Sequence, residues 1–161
     1  MDTEERVRSV LPTLGVPFEI VPCQPELADT SAFCAAYGYA VEDSANAILV
    51  AGKSDPPRHA VCVVLATTRL DVNRTVRRRL GVKKASFADT GTTEEVTGMT
   101  IGGVTPIGLP PQLPLWIDRR VIARDRIVLG GGSRRCKVVA PPAILLALDG
   151  AEVVDELAID R

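Results

Sequence analysis

A chain of 161 residues with 46% apolar and 24% charged residues has enough hydrophobic material for one sizeable core, and is expected to be a single folded domain over residues 1–161. Aromatics are only 4%, so Val, Leu, Ile and Ala fill that core, and a net charge of −1 excludes a globally basic protein. No run approaches the roughly 18 apolar residues of a membrane span, and Met1–Arg8 has charges of both signs without an apolar signal core, so a soluble cytoplasmic protein is expected.

Asp2–Leu14 is predicted as a helix, because Val7, Val10, Leu11 and Leu14 recur at helical spacing and Gly15 follows as a stop. Pro12 should distort its last turn. Phe18–Val21 reads as a short strand. Thr30 is placed as the cap of a helix over Ser31–Tyr37, ended by Gly38. Ala45–Ala51 and Ala60–Ala66 are β-branched apolar runs, and the Gly/Pro/Asp-containing Gly52–Arg58 between them predicts neighbouring strands. Asp71 is placed as the cap of a helix over Val72–Leu80, and Thr92 or Thr93 as the start of another ending at Gly98. Beyond the Gly/Pro-rich Ile101–Pro114, strand pieces are predicted at Leu115–Asp118, Val121–Ala123, Ile127–Leu129 and Lys137–Ala140. A helix opened by Pro141 and Pro142 runs to Leu148, with a closing strand near Glu152–Val154. Helices and strands mix irregularly, which favours an α+β fold with a mixed sheet or barrel-like core over a Rossmann fold.

Cys23, Cys34, Cys62 and Cys136 form no C-x-x-C pair, and His59 is the only histidine, so no metal site is expected. The cysteines read as reduced, mostly buried small hydrophobes. His59 and Cys62 lie three apart on a predicted strand and face opposite sides, which counts against a nucleophile–base pair. Basic residues cluster at Arg74, Arg77, Arg78, Arg79, Lys83 and Lys84, and again at Arg119, Arg120, Arg124, Arg126, Arg134 and Arg135. Such clusters are either solvated surface or a face that touches a short stretch of nucleic-acid backbone.

Two segments hold candidate chemistry. Gly102-Gly103-Val104-Thr105-Pro106-Ile107-Gly108-Leu109-Pro110 packs three glycines and two prolines into nine residues, a loop able to aim bare N–H groups at a carbonyl oxygen or phosphate, or else a tight structural connection. Leu129-Gly130-Gly131-Gly132-Ser133 lacks the lysine of a P-loop and reads equally as a hairpin turn.

Together these segments resemble the YbaK/ProX family of aminoacyl-tRNA deacylases. Gly102–Gly108 is similar to that family's GG-x-[ST]-P-x-G loop. Asp71 to Leu80-Gly81-Val82-Lys83-Lys84-Ala85-Ser86-Phe87-Ala88 resembles its helix and LG-x-K turn. Leu115–Asp118 resembles its strand ending in aspartate, and Gly130–Ser133 with Lys137–Val139 its G-x-GS turn and following strand. The resemblance implies hydrolysis of the ester joining a mischarged amino acid to the 3′-terminal ribose of a tRNA, with glycine-loop amides holding the ester carbonyl. It casts Asn46, Gly102 and Gly103 as catalytic, and Thr30, Thr105, Pro106, Gly108, Asp118, Gly130, Gly131, Gly132 and Ser133 as substrate-binding. It implies no metal and no organic cofactor, and as partners the tRNA acceptor end and an aminoacyl-tRNA synthetase.

One departure matters. Asn46 stands where the family usually has a lysine. A neutral hydrogen bond contributes about 0.5–1.5 kcal/mol against about 1.5–3 for a charged one, so two readings stand: a deacylase, whose rate Asn46→Lys would raise, or lower if Asn46 belongs to a different hydrogen-bond network, or a binding module of the same fold without turnover. Lys53 falls on the opposite face of the strand. Lys137, on a different strand, stays open as a substitute.

Overall fold

The computed structural model describes residues 1–161. Its N-terminus is a capping box: the Asp2 carboxylate accepts from the Glu5 N–H (2.8 Å) and the Glu5 carboxylate from the Asp2 N–H (3.2 Å). Helix α1 (Thr3–Val10) follows, and Pro12 tightens its continuation, Leu11–Leu14, into a 3-10 turn. Strand β1 (Glu19–Pro22) and helix α2 (Thr30–Tyr37) come next. Asp29, not Thr30, occupies the cap position of α2, and Thr30 is its first helical residue.

The β-branched runs form the hairpin β2 (Ala45–Gly52) and β3 (Arg58–Leu65), antiparallel along their whole length, and the chain continues into β4 (Thr68–Leu70). The predicted helix over Val72–Leu80 is split. Val72–Val76 winds as a wide turn in which the Val76 N–H reaches the Asp71 carbonyl (3.1 Å), and only α3 (Arg77–Leu80) is α-helical. Val72, Thr75 and Val76 are β-branched and crowd a tight helical turn. Asp71 caps no backbone group; its carboxylate accepts from the Thr75 hydroxyl (3.1 Å).

Strand β5 (Ala85–Phe87) and helix α4 (Thr90–Thr97) follow, α4 being capped by Asp89, which accepts from the Thr92 N–H (2.7 Å). The Gly/Pro-rich stretch then leads to β6 (Leu115–Asp118). Val121–Ala123, predicted as a strand piece, belongs to a helical turn, α5 (Arg119–Ile122). One turn suffices to bury Val121 in the main core while Arg119 and Arg120 stay outside, so no strand partner is required. The chain ends with β7 (Ile127–Gly130), β8 (Cys136–Ala140), α6 (Ala143–Leu146), β9 (Ala151–Val154) and β10 (Ala158–Asp160).

The architecture is α+β. A five-stranded mixed sheet in the order β5-β2-β3-β6-β9 faces a three-stranded antiparallel sheet, β1-β8-β7, and β10 pairs with β4 as a separate ribbon. The sheets do not close into a barrel: the pairing between them is the isolated bridge of Ser44, just before β2, with Val128 of β7, and it does not continue along β2. The main core lies between the two sheets, built from Val7, Leu49, Val61, Ile117, Leu129 and Val138, with α1, α5 and α6 packed against it. No helix is long and apolar enough to cross a membrane. All four cysteines are free, and burial pushes the Cys62 thiol up to about 12, which removes it as a nucleophile.

Candidate active site

The separation of β2 from β7 leaves a cavity of about 280 Å³. β5 pairs with β2 only at residues 50–52, and the last link is the Ala88 N–H to the Leu49 carbonyl (3.0 Å). The free edge of β2, residues 44–49, therefore forms one wall. Asp29, Thr30 and Phe33 of the α2 region, Ala88, Ile101, Gly102 and Val104 of the glycine loop, and Leu129, Gly130 and Lys137 complete it.

Its polar lining is Asp29, Thr30, Ser44, Asn46, Thr93 and Lys137. The Thr30 hydroxyl donates to Asn46 Oδ1 (3.3 Å), which leaves the Asn46 amide nitrogen as a donor with no partner in the protein. Lys137, buried on the central strand of the smaller sheet, donates from Nζ to the Gly102 carbonyl (3.2 Å), and its ammonium stands 6.0 Å from the centre of the Phe33 ring. Burial holds the Lys137 ammonium below its ordinary lysine value; Arg134 adds repulsion, which Asp29 opposes.

The backbone supplies further donors. The N–H groups of Gly102 and Val104 make no hydrogen bond within the protein, and both residues line the cavity. Gly103 does not line it, and its N–H is engaged by the Thr100 carbonyl (3.0 Å). The free N–H groups that border the cavity are therefore those of Gly102 and Val104, while Gly103 packs within the loop. A Cβ placed on Gly103 would lie 2.6 Å from the Ser133 backbone, and one on Gly130 would collide with the Val104 carbonyl, so the two glycine segments interlock. Gly102 has a φ of +95°, a conformation that glycine adopts without steric cost.

Several residues expected at the site stand elsewhere. Gly131 packs on Cys136, Gly132 on the backbone of Thr3 and Glu4, and the Ser133 hydroxyl donates to Glu4 (2.9 Å). Thr105 is fully buried and accepts from the Ile107 N–H (3.4 Å). Pro106 and Gly108 line a second hollow of about 380 Å³ on the other side of the loop, beside Val10, Leu14 and Leu148, with no cationic side chain in it. Asp118 is buried at the end of β6 and accepts from the Ala158 N–H (3.2 Å), tying β10 to the sheet. Asp118→Ala leaves that donor unpaired, at a cost of about 1–3 kcal/mol. A melting temperature lowered by about 2–4 °C per kcal/mol is expected in thermal unfolding.

Gly102, Gly130, Thr30 and Asn46 thus share one cavity with Lys137, the residue that sequence reasoning left open. No three His, Cys, Asp or Glu side chains gather in a way that would hold a metal ion.

The cavity and its interlocked glycine segments lie within an α+β domain whose residues 24–148 match the aminoacyl-tRNA editing domain. The chain belongs to that family. It is 28% identical to a candidate Cys-tRNA(Pro)/Cys-tRNA(Cys) deacylase, EbsC, of Enterococcus faecalis (strain ATCC 700802 / V583) over 104 residues. That match covers 64% of this chain and 61% of the relative, so it spans about three-fifths of the relative's length. Among solved structures, it is similar to a candidate trans-editing enzyme for prolyl-tRNA synthetase, with a TM-score of 0.81, 27% identity, and 96% of each chain covered. A second, a hypothetical protein at 24% identity and a TM-score of 0.82, covers 93% of this chain and 97% of its own and shares the fold.

Proposed function

We propose that this chain is a single editing domain that hydrolyses the ester between a mischarged amino acid and the 3′-terminal ribose of a tRNA. Its other partner is the aminoacyl-tRNA synthetase whose error it corrects, and it works in the cytoplasm. The observation that carries this reading is a buried ammonium, Lys137, in the same small cavity as Asn46 and the free loop amides.

The chemistry follows from those groups. Water attacks the ester carbon, the acyl–oxygen bond to the ribose breaks, and the ribose oxygen regains a proton from that water. Negative charge develops on the carbonyl oxygen, and fixed donors in a water-poor site stabilise it most strongly. Lys137 and the N–H groups of Gly102 and Val104 supply those donors. Thr30 orients Asn46, and Asn46 holds the substrate through its free amide nitrogen.

The alternative, a binding module without turnover, rests on the loss of charge at Asn46. Lys137 restores a cation to the cavity from the opposite strand, which favours the deacylase. It also selects between the two outcomes open for Asn46→Lys. A second ammonium beside Lys137 would repel the first and disfavour its charged form, so this variant should lower the rate of single-turnover deacylation. Asn46→Ala should lower it about 2- to 10-fold, the worth of one neutral hydrogen bond. Equal rates in parent and both variants would remove Asn46 from the site.

A further inference from the structure

We infer that the edge strand β5 is the docking track for the single-stranded 3′ end of the RNA substrate, with Phe87 as a base-stacking platform at the mouth of the cavity and Lys53, Lys83 and Lys84 holding backbone phosphates. This rests on the deacylase reading and adds to it where the nucleic acid lies.

Phe87 is the observation that starts the argument. At 56% exposed it is the most exposed of the chain's six Phe, Tyr and Trp side chains, and its neighbour Ala88 lines the cavity.

Register places Phe87 directly opposite Val50, so its side chain shares a sheet face with Val50, Ile48 and Asn46, two residues apart along β2. Ile48 and Asn46 line the cavity. Val50 is itself buried in the second core, so the accessible link from the cavity to the exposed ring at the end of β5 is the adjacent Ala88, and β5 is the outermost strand of its sheet.

Charge continues the line. Lys84 lies three residues before Phe87, about 10 Å along a strand, with Lys83 next to it. The Lys53 N–H donates to the Lys84 carbonyl (2.9 Å), which brings a third lysine to the same end. All three are exposed, and none forms an ion pair. The arginines nearer the cavity or on the far sheet edge are committed elsewhere: Arg134 to Asp29 (3.3 Å), Arg135 to Glu4 (3.1 Å), Arg124 to Asp43 (2.8 Å), and Arg119 and Arg120 to Asp155 and Asp160. The acidic groups beside the track are Asp55 in the β2–β3 turn and Asp89, whose carboxylate is engaged by the Thr92 N–H. A flat aromatic next to free cations is the arrangement that binds single-stranded nucleic acid, with bases stacked on the ring and phosphates on the lysines.

The test is fluorescence-anisotropy binding of a labelled, uncharged RNA oligonucleotide carrying a tRNA acceptor 3′ end, measured over a salt series. Phe87→Ala should weaken binding about tenfold, and Phe87→Trp should restore it. Lys83→Ala with Lys84→Ala should weaken it at low salt and make the slope of log affinity against log salt shallower by about 1.4, two phosphates' worth for a single strand. Unchanged affinity in Phe87→Ala, or an unchanged salt slope in the lysine double variant, overturns the track. Because these variants lie at exposed positions, circular dichroism should show parent-like folding. Turnover plays no part in the binding readout: RNA bound through Phe87 by a protein that hydrolyses no ester overturns the deacylase reading and leaves the track standing.

Discussion

Lys137→Met is expected to lower the single-turnover rate of ester hydrolysis about 100- to 1000-fold, the range seen when one preorganised donor to a developing oxyanion is removed. Methionine keeps the length and apolar stem of the side chain and removes the ammonium that reaches the Gly102 carbonyl. The variant should fold, because a buried ammonium is costly to keep. The parent's pH dependence gives an independent signature. Its Lys137 value lies below that of an ordinary lysine, so the charged form is present at lower pH and is lost as pH rises through the depressed value. The rate advantage over Lys137→Met should fall across that window. Stability should move the other way: between the depressed folded value and the ordinary unfolded one, the unfolded chain binds more protons, so the fold gains stability as pH rises. An advantage that grows through this window would instead assign Lys137 as a base.

Gly103→Ala is expected to be the most damaging single change in the loop. The added Cβ meets the Ser133 backbone at 2.6 Å, where no side-chain rotation relieves it. The two glycine segments must separate, at a cost of about 1–3 kcal/mol for overpacking, and Gly102, Val104 and Gly130 move with them. A misplacement of about 1 Å can cost about 100-fold in rate. Urea unfolding and single-turnover deacylation on the same preparation should both register the change. A parent-like rate would show that the interlock does not position the donors.

The elements that were legible in the sequence are those with local signals. The β2–β3 hairpin has two β-branched apolar runs across a Gly/Pro turn, and α1 has both its apolar period and Pro12 to mark where it tightens. The three-residue strands β4, β5 and β10 have no such pattern, since they are held by distant partners such as β10 on β4. Val121–Ala123 departs from expectation for the opposite reason: its apolar pair suits a short strand, but burial of Val121 is met by one helical turn.

The site divides in the same way. Gly102, Gly130, Thr30 and Asn46 lie in the cavity, whereas Thr105, Asp118 and Ser133 belong to the packing that supports the fold. Motif residues of both kinds look alike in a linear sequence, because a glycine that bares an amide and a glycine that admits a neighbour's backbone are the same letter. Lys137 had one available signal: it interrupts Cys136-Lys137-Val138-Val139-Ala140, every residue of which is buried. A lysine inside such a run is rarely left without a role, since burial of an ammonium is costly. What could not be read was its reach to Gly102, which depends on β8 lying between β1 and β7.

The most direct test of the central claim is single-turnover deacylation of a panel of mischarged tRNAs by the purified protein, with Lys137→Met alongside. The account predicts that at least one aminoacyl ester is lost well above its spontaneous rate with the parent, and that this excess falls about 100-fold or more in the variant. Spontaneous decay across the whole panel with the parent, or parent-like hydrolysis by Lys137→Met, would contradict it.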